Sequence, residues 1–476
     1  MSLIELEHHI KSGKRCHLIG IGGISVSALA EVLNGMGVPL SGSDSSESPT
    51  IDKMRSLGIP VTIGHKAESV NGAGCIIRTA AVRSDNVEIK AANELGIPIF
   101  ERAEVWGYIM SKYENAICVA GVHGKTSTTS MLTHVLLAAQ CDPTIMLGGT
   151  LPILGSGYRA GKGDVILLES CEYYNSFHNF YPTIAVVLNV DADHLDFFKD
   201  LDDLITSFRK FASLVPDSGT IVCNGDDVNT MEAMIPLKRD LLTFGFGKTR
   251  AASRISENYL SGAMPIRVRG VNVKPTGRNP SMDVLYDGNL FCKITLQIPG
   301  VHNLRNALAA TSASIAMGIP AETIEKGLYN YTGVGRRFEY KGSINGADVY
   351  DDYAHHPSEL RATLNAISTL EYNRVILAFQ PHTFSRTKAL FYDFVTELSR
   401  PDFTFLAPIY SAREKDDKSI SSDDLANAVY GAHCLATLED IADNIEKIAR
   451  PGDIILTAGA GDVYKIGDIL TKKKGK

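Results

Sequence analysis

The sequence lacks the features of a membrane, secreted or nucleic-acid-binding protein. Its 476 residues contain no run of about 18 apolar residues, the length that a transmembrane helix requires. The N-terminus has no uninterrupted apolar segment of the kind found in signal peptides. Basic residues are not in excess, since the net charge is −7, so a general nucleic-acid-binding surface is not expected. These absences predict a cytoplasmic protein with neither a membrane nor a nucleic acid as partner.

The eight cysteines also lack the spacing of a metal or redox site. No two form a C-x-x-C pair, and most stand in apolar runs such as AICVAG and TIVCNG. We expect buried free thiols in a reducing compartment and no structural zinc. The content of 44% hydrophobic and 21% charged residues is typical of an ordinary globular protein.

What the chain does contain is a repeated succession of apolar strand, glycine turn and helix. This alternation predicts an α/β fold with parallel sheets. At roughly 100–200 residues per domain, the length suggests about three domains. We predict a Rossmann-like N-terminal domain at 1–113, a central P-loop ATPase-type α/β domain at 114–332 and a C-terminal Rossmann-like α/β domain at 333–476. In the central domain, the turn-rich stretch from about Asp240 to Gln297 favours antiparallel strands.

The motif that indicates chemistry most clearly is GVHGKTSTT, residues 121–129. An apolar strand precedes it and a helix follows it. The N–H groups at such a helix start are unpaired and, with the helix dipole, favour a phosphate. Lys125 is placed to reach the outer phosphates of a nucleotide, and Thr126 to hold Mg²⁺. The alternative is a Gly-Lys-Thr turn that only caps the helix.

Acidic residues follow two further apolar strands. Glu169 ends the strand DVILLE, at the position where ligands collect in open α/β sheets, and is a candidate ligand for nucleotide-bound magnesium. Glu172 is the weaker candidate of the two. The strand TIAVVLNV leads to His194, which is either a structural group or a metal ligand. It stands among three acids, Asp191, Asp193 and Asp196.

The N-terminal segment GIGGIS, Gly20 to Ser25, is similar to the dinucleotide fingerprint G-x-G-x-x-G, with serine at the third glycine. Asp44 lies about 20 residues further on, where a ribose-binding acid belongs. The segment indicates a nucleotide or pyrophosphate site. Taken alone, it would also suit an NAD-dependent dehydrogenase.

Arginine and histidine clusters recur at the strand ends of the third domain. The guanidinium fork of arginine binds carboxylate or phosphate at two points, so the clusters favour an anionic ligand, although any one of them could be a surface charge. The segments are GRRFE, DDYAHHPSE, FQPHTFSRT and IYSAREKD. Their polar residues are Arg336, Arg337, Asp351, Asp352, Tyr353, His355, His356, His382, Arg386 and Arg413.

Together with PGVHNLRNALAA, these segments resemble the Mur ligase family over nearly the whole chain. Mur ligases have a UDP-sugar domain, a central ATPase domain and a C-terminal domain that closes over the site. Their phosphate loop is typically G-T-x-G-K-[ST], which GVHGKT matches except at Val122. His123 in this loop is typical of the alanine-adding members.

The resemblance implies ATP-dependent ligation of L-alanine to UDP-N-acetylmuramate through an acyl phosphate, in peptidoglycan precursor synthesis. ATP and Mg²⁺ are the implied cofactors, and the sugar nucleotide and the amino acid are the implied small-molecule substrates. One alternative is a ligase of the same family that recycles wall tripeptides onto this sugar, although FQPHTFSRT favours addition of a single amino acid. Another is a non-catalytic UDP-sugar sensor that keeps the fold.

The resemblance also implies a role for each matched residue. The catalytic residues are Lys125, Glu169 and His194, and the metal ligands are Thr126, Glu169 and His194. The ATP-binding residues are Gly121, His123, Gly124, Lys125, Thr126, Ser127, His302, Asn303, Arg337 and Asp352. The UDP-sugar contacts are Gly22, Gly23, Ser25, Asp44 and His65. The amino-acid and muramoyl contacts are Tyr353, His355, His382 and Arg386.

Overall fold

The computed structural model describes residues 3–79, 82–193, 197–247, 265–277, 279–412, 414–416 and 418–472. Within these residues the chain forms alternating helices and strands in three sheets, which confirms the predicted α/β class. The chain divides into two compact units. The first comprises residues 1–271, 284–292 and 306–328, and the second comprises residues 272–283, 293–305 and 329–476.

The first sheet consists of five parallel strands near the N-terminus. They are β1 (Arg15–Ile19), β2 (Leu40–Asp44), β3 (Val61–Ile63), β4 (Ala73–Arg78) and β5 (Ile99–Glu101). The helices are α1 (Leu3–Lys11), α2 (Ile24–Gly35), α3 (Pro49–Ser56), α4 (Val87–Glu94) and α5 (Arg102–Met110). The strand order β3-β2-β1-β4-β5 confirms the Rossmann-like prediction. The strand order changes direction between β1 and β4. Ligands of such sheets bind beside this point, at the carboxyl ends of the strands.

The second sheet has ten strands, in the order β15-β14-β13-β12-β11-β10-β6-β9-β7-β8. In chain order they are β6 (Asn115–Ala120), β7 (Thr144–Leu151), β8 (Ser156–Arg159), β9 (Val165–Ser170), β10 (Ile184–Val187), β11 (Thr220–Asn224), β12 (Leu241–Gly245), β13 (Val268–Lys274), β14 (Ser281–Tyr286) and β15 (Asn289–Thr295). The associated helices are α6 (Lys125–Ala138), α7 (Leu201–Ala212), α8 (Val228–Met234), α9 (Val301–Ala316) and α10 (Ala321–Tyr329). Short 3₁₀ turns lie within Tyr173–Asn179, with a kink at Tyr174 and Asn175, whose φ angles are positive. Because β6 lies between β9 and β10 and is parallel to both, its carboxyl end meets theirs at one edge.

The stretch from Asp240 to Gln297 differs in part from the expectation of antiparallel strands. β13 pairs with β12 in parallel, with Phe244 opposite Val268. The connection between them includes residues 248–264, which lie outside the described residues. Parallel neighbours begin at the same end of the sheet, so the chain must cross back before the second strand begins. A connection of this length allows that return.

The third sheet lies near the C-terminus and has the order β16-β17-β21-β18-β19-β20. Its strands are β16 (Glu339–Ile344), β17 (Ala347–Asp352), β18 (Val375–Phe379), β19 (Phe403–Leu406), β20 (His433–Cys434) and β21 (Ile454–Ala458). Its helices are α11 (Pro357–Ile367), α12 (Phe384–Ala389), α13 (Phe391–Leu398), α14 (Ser422–Ala428), α15 (Leu438–Ile448) and α16 (Tyr464–Lys472). β16 pairs antiparallel with β17, and the pairs among the other strands are parallel.

The central strands are apolar on both faces because helices cover both sides of a parallel sheet. In β10 all four residues are buried, and in β21 all five. The cysteines are free thiols, as expected, and of these only Cys171 is exposed. Among the described helices, none has the length and hydrophobicity needed to cross a bilayer.

Candidate functional site

The loop between β6 and α6 has the geometry of a phosphate cradle. Gly121 and Gly124 have φ angles of 147° and 84°, in the region that favours glycine. A Cβ at Gly121 would lie 2.9 Å from the Cβ of Leu188, and one at Gly124 would lie 2.6 Å from Oδ1 of Asn306. The loop therefore requires glycine at both positions. It leads directly into the N-terminus of α6, where unpaired N–H groups and the helix dipole favour an anion.

Lys125, the first residue of α6, is paired with Glu172. Its Nζ donates to both carboxylate oxygens of Glu172, at 2.9 and 3.2 Å, and to the backbone oxygen of Gly121 at 2.6 Å. Burial alone would lower the pKa of Lys125, but the negative charge of Glu172 more than offsets this effect and the pKa is raised. The lysine therefore carries a full positive charge. Glu172, the weaker candidate in the sequence, is the residue that holds it.

Thr126 and Glu169 are neighbours at the same sheet edge. Glu169 is opposite Val119 in the β6–β9 register, immediately before the glycine loop. Thr126 Oγ1 donates to Oε1 of Glu169 at 2.9 Å, and the N–H of Gly148 donates to Oε2 at 2.7 Å. Hydroxyl and carboxylate oxygens are the hard ligands that Mg²⁺ prefers. The residues present therefore fit a nucleotide-bound magnesium ion, which Thr126 and Glu169 would hold.

Asn189 fastens the phosphate loop to the segment that follows β10. Its Oδ1 accepts from the N–H of His123 at 2.8 Å, and its Nδ2 donates to the backbone oxygen of His123 at 2.9 Å. Nε2 of His123 lies 3.5 Å from a carboxylate oxygen of Asp191. Asn189 was not predicted from the sequence, because an asparagine after an apolar run is equally typical of a turn. Ser127 lies in the first turn of α6 and is buried.

His194, predicted to be both a catalytic residue and a metal ligand, lies outside the described residues, as does Asp196. Its role stays a prediction. Asp193, which precedes it, is described and half-buried.

The predicted UDP-sugar residues lie at the carboxyl ends of β1, β2 and β3, which meet at one edge of the parallel sheet. The N–H of Gly22 donates to Oδ2 of Asp44 at 2.8 Å, and a Cβ at Gly22 would lie 2.9 Å from that oxygen. Gly23 is the N-cap of α2, and Ser25 is in its first turn. His65 follows β3. The structure therefore brings these residues to the edge where a Rossmann-like sheet binds its ligand.

Two residues that the sequence analysis did not single out contact this group. Arg102, the first residue of α5, donates to the hydroxyl of Ser25. Glu88 of α4 contacts Nδ1 of His65 at 3.1 Å. In the sequence both look like ordinary charges in the first turn of a helix.

Four predicted ATP contacts lie in the second unit, and three of them, His302, Arg337 and Asp352, interact electrostatically. Burial, together with the positive charges of Arg305 and Arg337, lowers the pKa of His302 to about 4. Burial raises the pKa of Asp352 to about 6, although the Arg337 charge opposes the shift. Asn303 is buried next to His302, and its Nδ2 donates to a backbone carbonyl of the preceding loop at 2.7 Å.

The predicted amino-acid and muramoyl contacts form a cluster at the ends of β17 and β18. The ring centroids of Tyr353 and His355 are 5.3 Å apart, and those of His355 and His382 are 5.6 Å apart. Nη1 of Arg386 lies 3.1 Å from Nδ1 of His382. Tyr410, which the sequence analysis missed, stacks on His382 with an interplanar angle of 15°.

Other charged residues of the third domain have structural contacts. Nε of Arg336 donates to Oδ2 of Asp351 at 3.0 Å, and its other nitrogens donate to the backbone oxygens of Gly459 and Gly461. Asp351 is buried. His356 is the N-cap of α11. Arg413 lies outside the described residues.

Three family models match consecutive parts of the chain. Residues 15–114 match the Mur ligase family, catalytic domain; residues 119–314 match the Mur ligase middle domain; and residues 336–461 match the Mur ligase, glutamate ligase domain.

Individual relatives match nearly the full length. A UDP-N-acetylmuramate–L-alanine ligase from Clostridium tetani is 42% identical over 467 residues, which is 97% of this chain and 99% of the relative. The crystal structure of a UDP-N-acetylmuramate–alanine ligase from Thermotoga maritima has a TM-score of 0.78 at 26% identity, and covers 97% of this chain and 99% of that chain. A MurF ligase from the same organism, solved in complex with ADP, shares the fold with a TM-score of 0.62 at 15% identity, and covers 91% of this chain and 95% of that chain.

Proposed function

This chain belongs to the Mur ligase family, and we propose that it joins L-alanine to UDP-N-acetylmuramate in a reaction driven by ATP. The products are UDP-N-acetylmuramoyl-L-alanine, ADP and phosphate. The observation that carries the proposal is the arrangement at the start of α6. A charged lysine, a hydroxyl and two carboxylates converge there on one glycine loop. The names of the relatives in Clostridium and Thermotoga support the choice of substrates.

The chemistry requires activation because a carboxylate is a poor electrophile, with oxide as its leaving group. Transfer of the γ-phosphoryl group of ATP to the muramoyl carboxylate gives ADP and an acyl phosphate. The amine of L-alanine attacks the carbonyl carbon, the amine loses a proton, and phosphate leaves from the tetrahedral intermediate. Catalysis of this kind depends on positioning and on neutralising charge.

The residues of this chain supply both effects in the proposed reaction. Lys125 binds the outer phosphates. Its ion pair with Glu172 keeps the ammonium group charged before the nucleotide binds. Thr126 and Glu169, with His194, are the proposed holders of Mg²⁺, which neutralises phosphate charge when bound. The backbone of Gly121, His123, Gly124 and Ser127 completes the triphosphate site.

The other substrates are assigned to the remaining groups. The proposed adenosine and phosphate contacts in the second unit are His302, Asn303, Arg337 and Asp352. UDP-N-acetylmuramate is assigned to Gly22, Gly23, Ser25, Asp44 and His65. L-Alanine and the muramoyl end are assigned to Tyr353, His355, His382 and Arg386.

The proposed domains follow this division of substrates. Residues 1–113 bind the UDP-sugar, residues 114–332 bind ATP, and residues 333–476 bind the amino acid and part of the nucleotide. The sugar nucleotide and ATP are both cytoplasmic metabolites, so the proposed location is the cytoplasm.

The test is phosphate release from ATP in the presence of UDP-N-acetylmuramate and a panel of amino acids. We expect release that depends on L-alanine. The same assay with the wall tripeptide L-alanyl-γ-D-glutamyl-diaminopimelate separates the proposed reaction from tripeptide recycling. Faster release with the tripeptide than with L-alanine would overturn the proposal.

Lys125→Ala should abolish alanine-dependent release, because the phosphates lose the cation that Glu172 holds at the loop. Lys162→Ala is the matched control, since Lys162 is exposed in the loop before β9, and it should retain wild-type release. Full activity of Lys125→Ala would contradict the assigned role.

A further inference from the structure

A chain of buried polar residues crosses the N-terminal sheet where an apolar surface is expected. His17 of β1 lies opposite Ser41 of β2, and Ser43 lies one pleat further along the same face. All three are buried, and Glu88 of α4 covers them with no exposed surface. The surrounding side chains of this layer are apolar, among them Ile76.

Glu88 is the centre of this group. Ser43 Oγ donates to its Oε2 at 2.6 Å, and Nδ1 of His65 lies 3.1 Å from the same oxygen. Nε2 of His17 lies 3.6 Å from Oε1, and Nδ1 of His17 is within 2.8 Å of the Ser41 hydroxyl. Burial by itself would raise the pKa of Glu88. Its contacts with His17, Ser43 and His65 outweigh burial, and the pKa is lowered to about 2. Glu88 is therefore an ionised carboxylate inside the domain.

Stability alone does not account for such a group. Burying a charge is costly, and well-packed apolar side chains of similar volume often serve stability equally well. The group has one member that reaches solvent, because the side chain of His65 is 28% exposed. His65 stands at the carboxyl end of β3, on the edge that carries Asp44 and Gly22.

We propose that Glu88 is a positioning residue that holds the His65 ring in one orientation and one tautomer for recognition of the UDP-sugar. The Nδ1 proton is donated to the Glu88 carboxylate, so in the neutral ring Nε2 carries the lone pair. Nε2 then accepts a hydrogen bond from an N–H group of the sugar nucleotide. In the uracil base, the imide N–H is the group that can donate it. The inference rests on the proposed function, which places the UDP-sugar at His65.

The first experiment measures steady-state kinetics of Glu88→Gln. The amide keeps the shape of the carboxylate but presents an N–H group, which favours the other tautomer of His65. We expect the KM for UDP-N-acetylmuramate to rise about tenfold, as for a lost hydrogen bond to a charged group. The KM values for ATP and L-alanine, and kcat at saturation, should not change. Glu94→Gln, an exposed position on the same helix, is the matched control and should match the wild type.

A double-mutant cycle separates action through His65 from a general structural effect. His65→Gln should raise the same KM, and Glu88→Gln should add nothing in that background, because the group through which it acts is gone. Additive effects, or an unchanged KM in His65→Gln, would overturn the inference. If Glu88→Gln does not fold, Ser43→Ala, which removes one partner of the carboxylate, replaces it in the cycle with the same expectations.

Calorimetric titration with UDP-N-acetylmuramate keeps this inference distinct from the proposed function. A wild type that binds the UDP-sugar but releases no phosphate with L-alanine would refute the ligase reaction, and the affinities of the variants would still decide the role of Glu88. A wild type with full turnover and an unchanged affinity in Glu88→Gln would overturn only the inference.

Discussion

The half-buried Lys125 and the buried Glu172 form an ion pair at the phosphate loop, and neither residue can be replaced without effect on the other. Removing one member of such a pair leaves an uncompensated charge, which costs about 3–5 kcal/mol. In the proposed reaction the phosphates compete with Glu172 for the same ammonium group. The carboxylate therefore keeps the lysine charged and in place before the nucleotide arrives.

Gly124 is a residue whose role follows from backbone geometry. Its φ of 84° and the 2.6 Å approach of Asn306 to an added Cβ predict that Gly124→Ala is destabilising. We expect a loss of about 1–3 kcal/mol in the free energy of unfolding, together with weaker ATP binding. Urea denaturation and nucleotide titration measure the two effects.

Gly35→Ala is the control for this prediction. Gly35 is the last residue of α2, and a Cβ there meets no atom within 4 Å. Alanine is favoured over glycine in helices, so this variant should be as stable as the wild type or more stable. Equal stability of the two alanine variants would contradict the argument for Gly124.

Asp352 should make stability depend on pH. Its pKa is raised from 3.8 to about 6 in the folded protein, mainly by burial, so the folded state binds more protons than the unfolded state between these values. The free energy of unfolding then falls as pH rises from about 4 to about 6. As pH rises across that range, the free energy of unfolding of Asp352→Asn should increase relative to that of the wild type by up to about 3 kcal/mol. Urea denaturation between pH 4 and 7 measures the difference.

His302 acts in the opposite direction. Burial first, and then two arginines, lower its pKa from 6.5 to about 4, so the unfolded state binds more protons between these values and stability rises with pH. The wild-type curve contains both effects, and only the difference between wild type and Asp352→Asn isolates the carboxylate. A difference that does not change with pH would refute the prediction for Asp352.

At the scale of elements, side-chain caps decide where several helices begin. Ser48, Asp200 and Asp227 accept from backbone N–H groups at the starts of α3, α7 and α8. α7 then buries one apolar face, which includes Phe208 and Phe211. The segment LDDLITSFRKFASLV therefore contains an amphipathic helix, which begins directly after its cap, Asp200.

Thr437 allows a direct test of such a cap. Its Oγ1 accepts from the N–H of Asp440 at 3.1 Å and donates to the Asp440 carboxylate at 2.7 Å, at the start of α15. Thr437→Ala should lower the free energy of opening of α15 by about 1 kcal/mol. This corresponds to roughly fivefold faster hydrogen exchange of the α15 amides. Thr396→Ala, an exposed position inside α13, is the control and should leave the α15 amides unchanged. Equal exchange in both variants would contradict the cap.

At the scale of the whole molecule, the apolar cores differ in how far along the chain they reach. The core that contains β1 and α5 also includes residues of β6, β9 and α7. Among the described residues, the two cores around the C-terminal sheet contain only residues between 338 and 470. The C-terminal segment therefore has a core of its own, whereas the N-terminal segment shares its core with the central one.

This difference predicts how fragments behave. A fragment of residues 333–476 should fold alone, with a cooperative thermal transition by circular dichroism. A fragment of residues 1–113 should bind the dye ANS and associate in size-exclusion chromatography, because the apolar surface that packs on the central segment is exposed. A cooperative, monomeric 1–113 fragment, or an unfolded 333–476 fragment, would contradict the assignment of the cores.

Much of this protein was predictable from local pattern. Apolar runs such as RCHLIG, AICVAG and RVILAFQ became β1, β6 and β18. The glycine loop, the family and the α/β class were also predicted and are confirmed. The prediction of antiparallel strands after Asp240 was wrong for the pairing of β13 with β12, because the choice of neighbouring strand depends on the path of a long connection and not on the strand residues themselves.

The sequence by itself determined the strands, helix starts and glycine turns, because backbone sterics and side-chain periodicity act over a few residues. Tertiary structure alone decided which side chains meet. Glu172 reaches Lys125 across 47 residues, and Glu88 reaches Ser43 across 45. These contacts depend on strand order and register, which bring distant strand ends to one edge of a sheet, and no local pattern specifies that edge.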